Sequence, residues 1–298
     1  MRHAILGAGG VGGFVGAVLA KQGDSVTLVL RPEALKSYPP ELSLESPLGS
    51  FSVPVERTAS VTGPFGVLWV TVKATHLDAA LRNVTVSPDQ LGAVVPLLNG
   101  IDHITPLRAR FGHDRVVPGS IGIESERAAP GKIVHRGMNP RITLASMGES
   151  RLAPAMEKLR QFGVTCQFWP DEMKILWTKL SFLAPFALTT TAAAKTIGEV
   201  VHDPEWKKRL EGAAHEVCAV GTASGVPLDV SVVLQFFEKT SPGGRSSMQK
   251  DVAAGNPPEL DAIAGPILRG AQAHGIEVPA TRELASMIRG ISAAAVRS

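Results

Sequence analysis

Glycines at positions 7, 9 and 12 constrain this chain more than any other feature. They follow a short strand-like run, His-Ala-Ile-Leu at 3–6, and lie in a long uncharged stretch that reaches Ala20. One basic residue, Arg2, precedes that stretch, which is also the outline of a secretory leader. Leader cores are helical, however, and glycine at 7, 9, 10, 12, 13 and 16 weakens a free helix by up to about 1 kcal/mol per residue. The next ten residues favour the other reading. Lys21-Gln22-Gly23-Asp24 reads as a helix end and turn, and SVTLVL at 25–30 reads as a buried strand. The predicted order is strand (3–6), glycine turn, helix (11–22), strand (25–30). In that context G-x-G-x-x-G is the turn that holds a dinucleotide pyrophosphate. Gly7 makes the tight turn, Gly9 lets the backbone approach the phosphates, and Gly12 lets the helix pack on the sheet. Gly10 and Val11 belong to the same phosphate-facing first turn, whose N–H groups and dipole favour an anion.

The residue after the second strand is Arg31, where an NAD-binding unit usually carries a carboxylate for the ribose hydroxyl. A guanidinium suits a 2′-phosphate through charge-assisted, bidentate hydrogen bonds. The expected cofactor is therefore NADP(H).

The rest of the composition excludes more than it selects. A net charge of +3 over 298 residues, with scattered cations, argues against nucleic acid and anionic membranes as partners. The uncharged stretch at 180–194 is too short to cross a bilayer. Cys166 and Cys218 form no C-x-x-C and no metal-ligand spacing, so they read as buried thiols of a reducing, cytoplasmic protein, and no metal site is expected.

Further strands are predicted at 66–72, ending at Lys73, and at 93–98, ending at Asn99, with a helix over 102–110. Ligands of open α/β sheets bind beyond such strand ends. Three strand-like pieces at 116–124, 132–135 and 141–145, broken by turns at Ala129-Pro130-Gly131 and Asn139-Pro140, suggest an antiparallel extension. A helix at 151–162 and a strand at 164–169 come next. From Asp171 onward every periodic stretch reads as helix, notably 172–191, 204–224, 246–254 and 259–274. The predicted boundary lies near Trp169-Pro170, giving domains at 1–169 and 170–298.

Five motifs, GAGGVG at 7–12, VTVKA at 70–74, NGI at 99–101, WTKL at 177–180 and RSSMQKDVAAG at 245–255 followed by Glu259, stand in an order and spacing that resembles the ketopantoate reductase (2-dehydropantoate 2-reductase) family over nearly the whole chain. The resemblance implies an α/β protein: a Rossmann-type dinucleotide-binding domain followed by an all-helical substrate domain. It implies NADPH-dependent reduction of a 2-oxo acid, 2-dehydropantoate to pantoate by default, on the way to pantothenate and coenzyme A.

The resemblance also carries residues over. Lys179 matches the family's proton donor; near its unperturbed pKa of about 10.4 it is charged at neutral pH and can protonate a forming alkoxide. Read alone, it is a snorkelling lysine on an apolar helix. Asn99 matches an asparagine beside nicotinamide and substrate, Lys73 a lysine near the cofactor, Ser247 a serine that meets the substrate carboxylate, and Glu259 an active-site glutamate. Each has a plainer reading. Asn-Gly is a common turn pair, Lys73 is a strand-end lysine, and Ser246 or Ser247 would cap the next helix. Asn256, Pro257 and Glu259 would form a capping box at the start of another.

One departure stands out. Asparagines expected four and eight residues after Lys179, facing the substrate, are Leu183 and Ala187 here. An apolar wall there favours a more apolar 2-oxo acid, or ketopantoate held through other contacts, or leaves an NADP(H)-binding sensor without reductase activity. A homodimer is compatible with the sequence.

Overall fold

The apolar run at the start of the chain forms β1 (Arg2–Leu6), and Gly7 ends it at φ +107°, a conformation that favours glycine. The chain then enters α1 (Gly10–Lys21) and returns through β2 (Ser25–Val29), completing the strand–turn–helix–strand order. The computed structural model describes residues 1–295. Packing divides it into two units: Met1–Leu98 with His103–Ile175, and Asn99–Asp102 with the chain from Leu176 onward.

The first unit continues with α2 (Pro32–Leu35), β3 (Glu41–Glu45), β4 (Phe51–Pro54), β5 (Glu56–Thr58), β6 (Phe65–Val70), α3 (Leu77–Leu81), β7 (Leu91–Pro96) and α4 (Ile104–Phe111). Then come β8 (Gly119–Ala129), β9 (Lys132–Ala145), α5 (Glu149–Gln161) and β10 (Thr165–Trp169). Five strands form a fully parallel sheet in the order β5-β2-β1-β6-β7. The connection reverses direction between β1 and β6, and Leu6 pairs with both Val29 and Val70. Gly7 therefore stands at the switch point of the sheet, where ligands of such folds bind.

Helix α1 lies between this sheet and a second, mixed one. Phe14, Val18 and Leu19 share a core with Ile5 and Leu28 on one side and Leu42, Ile133 and Ile142 on the other. Gly13 makes room for that contact, since a Cβ there would stand 2.3 Å from Ile133 Cδ1. The opposite face of the parallel sheet is covered by Leu77 and Leu81 of α3 and by Leu107 and Phe111 of α4.

The second sheet corrects one sequence expectation. The pieces at 132–135 and 141–145 are one strand, β9, and Asn139-Pro140 is not a turn. Gly122 pairs with Arg141 and Glu124 with Arg136, so residues 137–140 bulge out of register. A bulge needs no ladder donor from Pro140, which has none to give.

The second unit is all helical: α6 (Glu172–Ala193, from Leu176 onward), α7 (Ile197–His202), α8 (Pro204–Ala223), α9 (Val230–Lys239), α10 (Ser247–Ala253), α11 (Leu260–His274) and α12 (Pro279–Ala295). Short polar side chains start these helices. Asp203 Oδ1 accepts from Glu205 and Trp206 N–H, Asp229 caps α9, Ser246 caps α10, and Thr196 with Glu199 forms a capping box on α7. Helix α6 runs unbroken past Pro185, so residues 179, 183 and 187 keep a common face. Among the described residues, no helix is long and apolar enough to cross a membrane.

Candidate active site

The glycine turn of the first unit has space where a nucleotide would need it. Nothing lies within 4 Å of a Cβ built on Gly9, and Gly9 caps α1 without a side-chain hydrogen bond. The first-turn N–H groups of α1 are thus left to water or to an anion. Gly7 and Gly12 are glycines for a different reason. A Cβ on Gly7 would meet Val72 N at 2.8 Å, and one on Gly12 would meet the Gly7 carbonyl oxygen at 2.2 Å. Thr71 Oγ1 donates to that same carbonyl at 2.8 Å and ties the turn to the end of β6. Val11 rests partly on the core. Gly10 admits the β8–β9 hairpin: its Cβ would stand 2.1 Å from the Ser125 carbonyl oxygen, and Ser125 Oγ donates to Gly10 O at 3.0 Å.

Arg31 follows β2 and is largely exposed, with Glu33 Oε1 3.6 Å from its Nε. Lys73 is half-buried just past β6, at the head of a short 3-10 turn over Ala74–His76. Both belong to the strand-end side of the sheet, as Gly7 does. The residues present fit a dinucleotide: open space at Gly9, an uncapped helix start, and cations at the ends of β2 and β6.

In the second unit Lys179, Glu259 and Asn99 form one cluster. Lys179 is half-buried on α6. Burial pulls its ammonium down to about 8, and the Glu259 carboxylate works against that fall. Glu259 is itself buried, and its Oε2 accepts from Asn99 Nδ2 at 3.0 Å. A lysine at about 8 is still mostly protonated at neutral pH, yet gives up its proton far more readily than one at about 10.4. The expectation of an unperturbed lysine is thereby corrected, because the surrounding protein removes much of its water.

The same residues lie within regions shared with known proteins. Residues 3–149 match the ketopantoate reductase PanE/ApbA family, and residues 171–292 match the ketopantoate reductase PanE/ApbA C-terminal family. The chain belongs to the ketopantoate reductase family. A 2-dehydropantoate 2-reductase of Caulobacter vibrioides is 29% identical over 96% of this chain and 97% of its own. A PanE/ApbA family ketopantoate reductase from Ralstonia eutropha superposes with a TM-score of 0.86 at 27% identity, covering 99% of this chain and 100% of the other. A D-mandelate dehydrogenase holding NADH and anilino(oxo)acetate shares the fold, with a TM-score of 0.88 at 20% identity over 99% and 100% of the two chains.

Several family-derived expectations meet the structure unevenly. Ser247 opens α10 with an exposed side chain, because Ser246 takes the capping role. Ser246 Oγ accepts from Gln249 N–H at 3.1 Å and from Thr190 Oγ1 at 3.1 Å. The capping box expected at Glu259 does not form: α11 begins at Leu260, with Glu259 at its N-cap position and no side-chain cap bond. Pro258 disfavours helical backbone at Pro257, so the helix starts later and the Glu259 carboxylate is spent on Asn99. Leu183 is half-buried on the Lys179 face, whereas Ala187 has no exposed surface and cannot line a wall. Thr71 and Ser125 are not singled out by the sequence. Thr71 lies inside VTVKA without a role of its own there, and Ser125 carries no local signal at all. The two cysteines are buried free thiols, pushed up to about 11 by burial.

Proposed function

We propose that this protein reduces a 2-oxo acid to the 2-hydroxy acid with NADPH, 2-dehydropantoate to pantoate being the reaction to test first. The observation that carries the reading is the charge-tuned Lys179 beside the Asn99–Glu259 pair, in a chain of this family. NADPH, when bound at the glycine turn, supplies the hydride that reaches the ketone carbon. Lys179 hydrogen-bonds the ketone oxygen, stabilises the charge that develops there, and passes it one proton from Nζ. The neutral amine then regains a proton from solvent. Asn99 orients the carbonyl, and Glu259 holds both Asn99 and the charge on Lys179. Ser247 meets the substrate carboxylate. The turn shaped by Gly7 and Gly12 receives the pyrophosphate over Gly9 and the start of α1, Lys73 stands by the cofactor, and Arg31 takes the 2′-phosphate, which selects NADP(H) over NAD(H).

A second reading concerns the substrate alone. Leu183 lies one helical turn from Lys179 and keeps accessible surface. An alkyl group there offers no partner to a substrate hydroxyl, which favours a 2-oxo acid with a plain branch.

The test monitors NADPH oxidation with 2-dehydropantoate and with alkyl and aryl 2-oxo acids. Turnover should appear with at least one of them. Lys179→Ala should lower kcat by at least about a hundredfold with the NADPH Kd unchanged. No turnover with any of them, together with tight NADPH binding, would mark the protein as a sensor.

A further inference from the structure

The segment Asn99–Asp102 is fastened to α11 at three points. Asn99 Nδ2 donates to Glu259 Oε2 at 3.0 Å, just before the helix begins. Gly100, at φ +81°, lays its backbone against the first turn, where a Cβ would stand 2.2 Å from the Ala262 carbonyl oxygen. Asp102 then accepts from Arg269 Nη2, while Nη1 of the same guanidinium donates to Asp261 Oδ1 at 2.9 Å. The guanidinium passes over Gly265, where a Cβ would lie 2.2 Å from Nη2 and 2.8 Å from Asp261 Oδ1. The N-cap residue, the first turn and Arg269 of one helix thus meet three positions of a four-residue loop.

We propose that Arg269 is a positioning residue: by holding Asp102 it sets the loop and so the direction in which Asn99 presents its amide to Glu259 and to the substrate. For its consequence in catalysis this rests on the reductase reading above. The guanidinium suits the task because its planar fork reaches two carboxylates with two different nitrogens, which one ammonium cannot do in a fixed geometry. Arg269 and Asp102 are about half exposed and Asp261 largely so, and such pairs contribute little to global stability. The effect of Arg269 therefore lies in orientation, and losing it costs rate without unfolding the unit.

The experiment compares the full-length protein with Arg269→Ala, Asp102→Asn and the double variant, all saturated with NADPH, with Arg282→Ala as an exposed ion-pair control elsewhere. Two readouts are taken: kcat and KM for the 2-oxo acid, and the side-chain amide signals of Asn99, assigned by their disappearance in Asn99→Ala. Arg269→Ala should lower kcat by about tenfold, inside the hundredfold that a displacement of about 1 Å can cost, and should shift and broaden the Asn99 amide. Its melting temperature should stay close to that of the unmodified protein. Asp102→Asn should reproduce the loss, and the double variant should be no worse than either single one. Arg269→Lys should recover only part of the rate. The proposal is overturned if Arg269→Ala leaves the Asn99 amide in place, or leaves kcat within twofold in an active enzyme. If the unmodified protein reduces no 2-oxo acid, the reductase reading falls while the Asn99 amide still decides the role of Arg269. Should Arg269→Ala fail to fold, Asp102→Asn gives the same decision.

Discussion

Glu259→Gln separates the charge of Glu259 from its shape. Glutamine still offers an oxygen to Asn99 Nδ2, so the 3.0 Å hydrogen bond can survive the change. What disappears is the negative charge that supports the Lys179 ammonium against burial. With Lys179 at about 8, the protonated fraction is about nine tenths at pH 7, half at pH 8 and one tenth at pH 9. Removing the carboxylate should lower that midpoint further, each unit of lowering being equivalent to about 1.4 kcal/mol. At pH 8 the protonated fraction then falls below one half and the rate falls with it, while the difference between the two proteins narrows toward pH 6. The sign comes from the chemistry. With Lys179 as the proposed donor, its protonated form is lost as pH rises, so the rate should decline on the alkaline side, and earlier in the variant. The measurement is single-turnover NADPH oxidation with saturating 2-oxo acid across about pH 6 to 10, which reports the hydride step. An alkaline limb of the unmodified enzyme near about 10.4, the value of an ordinary lysine, would refute the burial argument. A limb that stays in place in Glu259→Gln would refute the coupling.

Three further outcomes are expected. Arg31→Ala should weaken NADPH binding by roughly tenfold to a hundredfold and leave NADH nearly unaffected, since a charge-assisted pair contributes about 1.5–3 kcal/mol; calorimetry with both cofactors checks this, and equal losses would contradict the 2′-phosphate assignment. Leu183→Asn should move kcat/KM toward 2-dehydropantoate relative to an unhydroxylated branched 2-oxo acid, by up to about tenfold; an unmodified protein that already prefers 2-dehydropantoate tenfold would remove the apolar-wall argument. Glu216 is buried on α8, and its two oxygens accept from Ala280 and Thr281 N–H, each at 2.7 Å, at the start of α12. Glu216→Ala strands both donors and should cost about 2–4 kcal/mol, seen as a lower midpoint in thermal unfolding, with Glu216→Gln losing less.

How far the sequence alone is legible depends on the range of the forces involved. The glycine turn is legible because each constraint on it is local or one strand away: a positive φ at Gly7, close packing at Gly12, open space at Gly9. Those demands repeat wherever a parallel strand feeds a helix beneath a phosphate, so spacing alone carries them. The Asn139-Pro140 bulge is not legible, because a proline reads as a turn until the partner strand shows a register shift that excuses its missing donor. The helix register from Lys179 to Leu183 is legible, but not the complete burial of Ala187, which depends on which helices pack against that face. Least visible is the pairing of Asn99 with Glu259, two residues 160 positions apart. Local rules give Glu259 a complete role as a helix cap, with Asn256 and Pro257 in support. Two consecutive prolines undo that role by delaying the helix, and the freed carboxylate finds a distant amide. The tuning of Lys179 has the same origin. An ammonium falls to about 8 only where the fold strips its water and leaves one carboxylate to hold the charge, and no window of sequence around WTKL contains either condition. Long-range packing thus brings the ammonium of a motif lysine, which alone reads as a surface residue, down toward neutral pH, the condition that the proposed role of proton donor needs.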